Sequence, residues 1–478
     1  MYWLRAKIHP TWHFTALLLG FITGVAMAHI WQVVPWLGYG TAAVCAGLAL
    51  WRQRRMLIVL AFVGGGLAGL ARGAVSLHDL SLWQPLYGHT VTLTGRVSDD
   101  TELTPRGSRL RLDTLRLGTQ QLPGTVFATL TGAESARRSD VVTLKGVARE
   151  GFGSFAASMT GSVVKVERPV PGDVALEIRD TFAGHVRSAI VEPQASLGIG
   201  YLLGQKSALP GDLADALVIT GLTHIVVASG YNLTILVRIG RRLFAKISKY
   251  LAMLSGASLI VGFIAITGLS PSMTRAGLVA GLGLWAWYYG RKFHPVTLLA
   301  LAAAVTVAVN PSYIWGDLGW LLSFAAFAGV MIVAPVATAY FYGTDKVPFV
   351  PQLLIETVAA QVATLPIMIM AFGQVSVIAP LVNLLILPLI PIIMLFVAIA
   401  GAGVWLLPMF AAAWGWLPER LLTLQVAIIE WSANIPWAIA KVEWQWGIVT
   451  TYCIALGAAI WYMKWRSGYK LYTASIIE

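Results

Sequence analysis

The stretch GLTHIVVASGYNLTIL, Gly221 to Leu236, sets a histidine, a serine–glycine pair, a tyrosine and an asparagine inside an otherwise apolar run. Polar groups are costly in such surroundings, so they either build a buried active site or line a path for something polar. The choice turns first on the solvent in which the run lies.

Composition answers that. The 478 residues have a mean hydropathy of +0.72, only 12% are charged, and 19 are tryptophan. One soluble core could not hide so much apolar surface, so the bilayer is the main solvent. A helical span takes about 20 apolar residues, and the sequence supplies many such windows. The expected fold class is a polytopic α-helical membrane protein. The net charge of +12 reads as membrane orientation, since cytoplasmic loops carry the Lys and Arg, ahead of any anionic substrate. Cys45 and Cys453 lie in apolar segments near opposite ends and define neither a disulfide framework nor a CxxC site. Arg5, Lys7 and Ala26-Met27-Ala28 imitate a signal peptide, but the apolar stretch is long and two more windows follow. An uncleaved first helix is expected.

Three windows fill 12–30, 36–51 and 56–72, and they make residues 1–75 an N-terminal three-helix membrane segment. The basic link Trp51-Arg52-Gln53-Arg54-Arg55, with Arg5 and Lys7, puts that loop and the N-terminus in the cytoplasm. From 80 to 170 long apolar windows vanish and period-two alternation appears. In SRLRLDTLRL (108–117), Leu110 and Leu112 point one way while Arg109 and Arg111 point the other. The pentad VTLxG occurs twice, at 91–95 and 142–146, and further strands are expected near 124–130 and 161–167. About five short strands with glycines at the bends fit a small extracytoplasmic barrel of the OB type, with other small β-folds open.

The mixed segment 174–212, with Asp180, His185, Arg187, Glu192 and Lys206, reads as interfacial amphipathic helices. Apolar windows return at about 213–239, 250–269, 274–290, 295–309, 318–340, 350–372, 375–407, 420–438 and 444–463. Alternating spans put the basic loops 238–249 and Arg291-Lys292, with Lys464, Arg466 and Lys470, on the same cytoplasmic side. About twelve spans are expected, with a membrane domain over 213–465, a tail over 466–478 and both termini cytoplasmic. Pro380, Pro388 and Pro391 interrupt the window 375–407 around Asn383. Freed carbonyls are tolerated at membrane depth only inside protein or along a wet cavity, so a re-entrant or discontinuous helix is expected there.

Drawn as one helix at about 100° per residue, the opening stretch puts Gly221, His224, Ala228, Tyr231 and Asn232 on one face. Ser229 lies at the edge of that stripe. Small and polar residues make a packing seam between helices, and each residue alone reads so. Together with Gly230, where the helix could open, they suit a cavity wall. Arg275 in SPSMTRAG, Asp317 and Ser323 in GDLGWLLSF, Gln361 and Thr364 in QVATLP, and Asn383 recur at membrane depth or its edge. A charge at the bilayer centre costs at least about 2.5–3.5 kcal/mol. Arg275 is therefore either an anchor at the outer interface or a lining charge, and Glu430 is paired or near a boundary.

Ala228-Ser229-Gly230 has the surroundings of an intramembrane serine nucleophile, which needs a base within about 3 Å. The only histidine after His224 is His294, in a basic loop, and His224 lies five positions before Ser229, on the wrong side of a helix. No GxxxxGK[ST] phosphate loop and no clustered metal signature occur, so no catalytic residue, metal or cofactor is expected. The sequon Asn232-Leu233-Thr234 lies within a span and is a chance match.

The ordered set of motifs resembles the ComEC competence family of bacterial natural transformation. Leu203-Gly204-Gln205-Lys206 matches the family's Leu-Gly-x-Lys/Arg, Gly221-Leu222-Thr223-His224 its Gly-Leu/Ile-x-His, and Ser229-Gly230-Tyr231-Asn232 its Ser-Gly-x-His/Asn. Pro271 to Ala276, Leu322-Ser323-Phe324 and the Ala379 to Pro388 region follow in the family's order. The resemblance covers about 200–390, with three spans and an OB-like insert in front as in the family. It implies a channel carrying single-stranded DNA through the cytoplasmic membrane, together with an outer DNA receptor and a cytoplasmic ATP-driven translocase. A strand is a polyanion with stackable bases, so its path needs wetted polar lining, positive potential and aromatic surface. His224, Ser229, Tyr231, Asn232, Arg275, Ser323, Gln361 and Asn383 are the expected lining. Arg109, Arg111 and Arg116 would meet phosphate, or are the solvated face of a strand.

This sequence departs from the family in three ways. Asn232 stands where many members have a second histidine, the extracytoplasmic segment has no cysteine, and no metallo-β-lactamase-like domain follows the last span. Degradation of the second strand is then expected to fall to another protein. A transporter of another polyanion or polar solute is the alternative function, and an intramembrane hydrolase ranks third.

Overall fold

The computed structural model describes residues 9–52, 54, 56–104, 107–131, 136–205, 209–226, 230–268, 271–291, 294–343, 345–443 and 445–469. Helices α1 (Pro10–Met27), α2 (Pro35–Arg52) and α3 (Leu57–Ser81) come first among the described residues. Strands β1 (Thr90–Val97), β2 (Glu102–Thr104), β3 (Gly107–Leu117), β4 (Gln120–Leu122), β5 (Val126–Leu130), β6 (Val141–Glu150) and β7 (Ala157–Glu167) follow. Next come α4 (Val174–Ala189), α5 (Gln194–Leu203), α6 (Gly211–Ile219), α7 (Thr223–Val226), α8 (Gly230–Ala245), α9 (Lys249–Thr267) and α10 (Pro271–Tyr288). Then α11 (Pro295–Val309), α12 (Ser312–Gly316) and α13 (Leu318–Ala328) run on through a π-helical turn, Gly329–Val333, into α14 (Ala334–Tyr342). The chain ends with α15 (Phe349–Phe372), β8 (Gln374–Ser376), α16 (Ala379–Ile386), α17 (Ile390–Leu406), α18 (Ala411–Ala433), β9 (Ile439–Lys441) and α19 (Trp446–Ser467).

Six stretches among the described residues are helical, long and apolar enough to cross a membrane: Pro10–Met27, Leu57–Leu86, Lys249–Thr267, Leu318–Tyr342, Phe349–Phe372 and Trp446–Ser467. A seventh is the pair α16–α17, bent by 48°. The proline-interrupted window 375–407 is thus a broken span or re-entrant loop, as its prolines lead one to expect.

The chain divides into two compact units, Met1–Asp173 with Phe293–Leu321, and Val174–Lys292 with Leu322–Glu478. In the first unit, α1 and α3 meet through glycines. A Cβ on Gly20 or Gly24 would collide with the carbonyl oxygens of Phe62 or Gly66, and one on Gly65 or Gly69 with those of Leu17 or Phe21. Both helices carry the four-residue glycine spacing that brings membrane helices into backbone contact. α11 packs beside α1, where the Thr15 and Thr297 hydroxyls share a buried hydrogen bond of 2.6 Å. Arg72 donates to the carbonyls of Ala308 and Val309, at 2.8 and 3.1 Å, in the last turn of α11.

The same unit holds a closed five-stranded barrel in the order β1-β6-β7-β5-β3, with β3 returning to β1. All barrel neighbours are antiparallel except β5 and β7, which run parallel. The alternation expected for β3 is present: Leu110 and Leu112 are buried in the barrel, while Arg109 is exposed and Arg111 half-buried on the outside. The two VTLxG pentads are partners, since Val91 pairs with Gly146, Leu93 with Leu144 and Gly95 with Val142. Trp83 closes the core, fully buried, with its indole N–H on the Pro123 carbonyl at 2.8 Å.

The core of the second unit gathers α4 to α7 with α16, α17 and α18. Within it α5 is a central helix, because every residue from Ala195 to Leu203 is buried. This differs from the interfacial helix expected over that part of 174–212. The charged neighbours on either side hide the fact that Gln194–Leu203 itself carries no charge and can be enclosed.

Candidate functional site

The window 213–239 is not one helix. α6 ends at Ile219, and Gly221 takes a left-handed φ of +72° ahead of the helical residues Thr223–Val226. Glycine suits that position, because the φ is unfavourable for other residues and a Cβ would meet the Ala379 Cβ at 2.9 Å. The single helical wheel drawn through Gly221, His224, Tyr231 and Asn232 therefore does not describe this segment. Ser229 and Ala228, in the same stretch, lie outside the described residues.

Each remaining polar residue has its own surroundings. His224 is exposed, and its Nδ1 lies 2.8 Å from the Gly221 carbonyl oxygen. Only an Nδ1–H can make that bond, because a carbonyl oxygen accepts and does not donate. Asn232 is fully buried, and its amide N–H2 donates to the carbonyls of Tyr201 at 2.9 Å and Ile225 at 3.1 Å. The Tyr201 carbonyl belongs to the last turn of α5, where a helix runs out of intrahelical donors. Asn232 thus caps α5 and ties it to Ile225. Tyr231, its neighbour, is exposed and reaches the Leu387 carbonyl through a long hydrogen bond of 3.4 Å.

The broken helix draws several of these residues together. Gly221 packs on Ser376 and Ala379 at the start of α16, and Gln361 donates from Nε2 to the Ser376 carbonyl at 2.7 Å. Asn383 is buried in α16 itself, and Leu387, Tyr231's partner, stands at the break before α17. Tyr231, Gln361 and Asn383 bear on the 376–387 segment, directly or through one backbone carbonyl, and His224 is tied to Gly221, which packs against it. Arg275 and Ser323 form a second group. Arg275 is buried with its guanidinium 5.4 Å from the Phe324 ring centroid, next to the exposed Ser323. Among the described residues no three His, Cys, Asp or Glu side chains are grouped to hold a metal ion.

On the barrel, the three arginines separate. Arg116 and Arg109 are exposed on β3, while Arg111 pairs with Asp99 at 3.6 Å and sits 5.7 Å from the Phe155 ring. Beside it, Phe127, Phe152 and Phe155 form an aromatic trio with centroids 5.2 to 5.4 Å apart, and Phe152 is 55% exposed. Register explains the meeting, because Arg111 on β3 is the cross-strand partner of Phe127 on β5. The β6–β7 turn supplies the other two rings and is held by Ser154, whose hydroxyl donates to Asp317 at 2.8 Å. Sequence reasoning missed the trio. Its signal was the pair of phenylalanines in GFGSF (151–155), facing a strand with arginines at alternate positions.

The long apolar helices and the bent pair define a membrane protein with a barrel domain. The family model described as "Competence protein" matches residues 201–466, which include every polar residue expected inside the bilayer, and the chain belongs to that family. The chain is also similar to ComE operon protein 3 of Bacillus subtilis (strain 168), at 26% identity over 261 residues. That alignment covers 52% of this chain and 31% of the relative, so the chain spans well under two thirds of it. No solved structure matches.

Proposed function

We propose that this chain forms a path for single-stranded DNA across the cytoplasmic membrane during natural competence, without catalysing a reaction on it. The observation that carries the reading is the Arg111–Phe127–Phe152–Phe155 cluster, found in a chain of the competence family. Clustered rings beside a guanidinium offer a surface for bases and phosphate that is indifferent to sequence. The barrel is of the OB type: its five long strands close in the order first, second, third, fifth, fourth, with a parallel third–fifth pair. The cluster then occupies the second and third strands and the loop between the fourth and fifth, the face OB barrels use for oligonucleotides. Arg109 and Arg116 extend it with exposed positive charge.

Inside the bilayer, His224, Tyr231, Gln361 and Asn383 line the path around the broken α16, with Arg275 and Ser323 beside it. Asn232 supports the lining from behind. α2, α10, α11, α18 and the α6–α8 segment bring the number of crossings to about twelve. The barrel lies outside the cytoplasm and both termini inside, following the positive-inside rule. An outer receptor would deliver DNA, and a cytoplasmic ATP-driven translocase would supply the work.

Deleting the gene and measuring uptake of labelled DNA tests this reading, with loss of uptake expected. Normal transformation in the deletion strain overturns it. In the complemented strain, His224→Ala is expected to lower uptake at unchanged membrane levels of protein, and Ser229→Ala to retain it.

A further inference from the structure

The C-terminal end of α8 is charged in one sense only. Arg238, Arg241, Arg242, Lys246 and Lys249 fall within twelve residues, and no acidic residue lies among them. Among the described residues none of the five makes an ion pair. The helix is fixed against α9 on its other side, where Gly240 is buried against Ser255 and Leu259. At about 100° per residue, Arg238 and Arg242 then face away from α9, and Arg241 flanks them.

Two of the cations share one aromatic surface. The Arg241 guanidinium lies 5.0 Å from the Trp287 ring centroid, and the Lys249 ammonium lies 5.8 Å from the same ring and 5.6 Å from that of Tyr288. Like charges held against one indole repel each other, and an anion beside them removes that cost. Apolar side chains are interleaved with the charges, and Leu243, Ile247 and Tyr250 are 66%, 72% and 61% exposed. Such exposure is unfavourable toward water but suits the boundary between headgroups and acyl chains.

We propose that Arg241, Lys249 and Trp287 form a headgroup site for anionic phospholipid, with Arg238, Arg242 and Lys246 widening the positive field and Leu243 and Ile247 seated among the acyl chains. A phosphate diester supplies the charge that the two cations lack, and the bilayer presents it at the depth where the exposed apolar residues rest. Cation clusters at the membrane boundary select anionic lipids in this way. The proposal does not rest on DNA passage and stands whether or not a strand crosses.

The test uses the full-length protein, purified in mild detergent and reconstituted in nanodiscs of phosphatidylethanolamine with a minority of phosphatidylglycerol. Retained phosphatidylglycerol is read by mass spectrometry after re-extraction. Arg241→Gln with Lys249→Gln is expected to lose bound phosphatidylglycerol roughly ten-fold or more, the scale two juxtamembrane cations provide. Lys464→Gln with Arg466→Gln removes the same charge from α19 and is expected to leave retention unchanged. Arg241→Lys keeps the charge and should keep the lipid, and Trp287→Leu should lose part of it. This second pair reads the site if the double variant folds poorly. Unchanged retention in the double variant, or equal loss in the α19 control, overturns the proposal. So does a double variant that keeps its lipid but no longer binds a labelled oligonucleotide, which would reassign the cations to a nucleic acid.

Discussion

Asn232→Leu separates the two roles that a buried asparagine in this stretch could have. Leucine has the same number and branching of side-chain heavy atoms but no donor, so the carbonyls of Tyr201 and Ile225 lose their hydrogen bonds at 2.9 and 3.1 Å without a cavity forming. The site is fully buried, so water cannot replace the lost donor. Stripping one buried carbonyl costs about 1–3 kcal/mol, and two, with some local relaxation, about 2–4 kcal/mol. The loss should fall on the junction of α5, α7 and α8. Unfolding of the detergent-solubilised protein, followed through its 19 tryptophans, measures it. The expected result is a clear fall in midpoint together with reduced uptake. A variant as stable as wild type that nevertheless loses uptake would refute the capping role and make Asn232 a group that touches the strand.

Three further outcomes are expected. Alanine at Phe127, Phe152 or Phe155 should weaken oligonucleotide binding by about 1–3 kcal/mol per lost stack, and Arg111→Gln should flatten its salt dependence; fluorescence anisotropy at several salt concentrations reads both. Gly65→Ala drives a methyl into the Leu17 carbonyl and should destabilise the α1–α3 pair by about 1–3 kcal/mol, seen as a lower unfolding midpoint, whereas alanine at Gly47, which has open space around it, should be near neutral. Asp317→Ala removes the acceptor of both the Trp320 backbone N–H at 2.6 Å and the Ser154 hydroxyl at 2.8 Å. It should cost about 0.5–2 kcal/mol as a lost helix cap and make the 151–156 turn more accessible to protease.

Much of this architecture can be read from local pattern. Period-two alternation in SRLRLDTLRL gives the inside and outside of β3, because side chains on a strand can only alternate. Three prolines within the window 375–407 announce the α16–α17 break, because proline removes donors at fixed positions. What the sequence hides depends on distant partners. The two VTLxG pentads are visible as a repeat, but nothing local says that they pair with each other. Gly221 sits in an apolar run that suggests an uninterrupted helix, yet it stops α6 in a left-handed turn, with the Leu222 N–H on the Leu217 carbonyl at 2.8 Å, and Ala379, far along the chain, closes against it. Tyr231 and Asn232 are adjacent in sequence yet differ entirely in burial, because neighbours on a helix point about 100° apart and their partners, the Leu387 carbonyl for one and the Tyr201 and Ile225 carbonyls for the other, come from different segments. The aromatic trio needed the register of β3 on β5 before Phe127 could be joined to Phe152 and Phe155.

The pairing of α1 and α3 with α11 also constrains when the first unit can be completed. Its last pieces, the Thr297 hydroxyl against Thr15, the α11 carbonyls held by Arg72, and the Trp315 indole that donates to Val25 at 2.9 Å, come from beyond residue 293. The ribosome therefore has to deliver the intervening 174–292 before the opening helices find their final partners. A fragment cut at Asp173 would carry the whole barrel but lose the two carbonyls to which Arg72 donates and the hydroxyl that meets Thr15. Any attempt to make the front of this protein by itself should splice 293–321 back onto it.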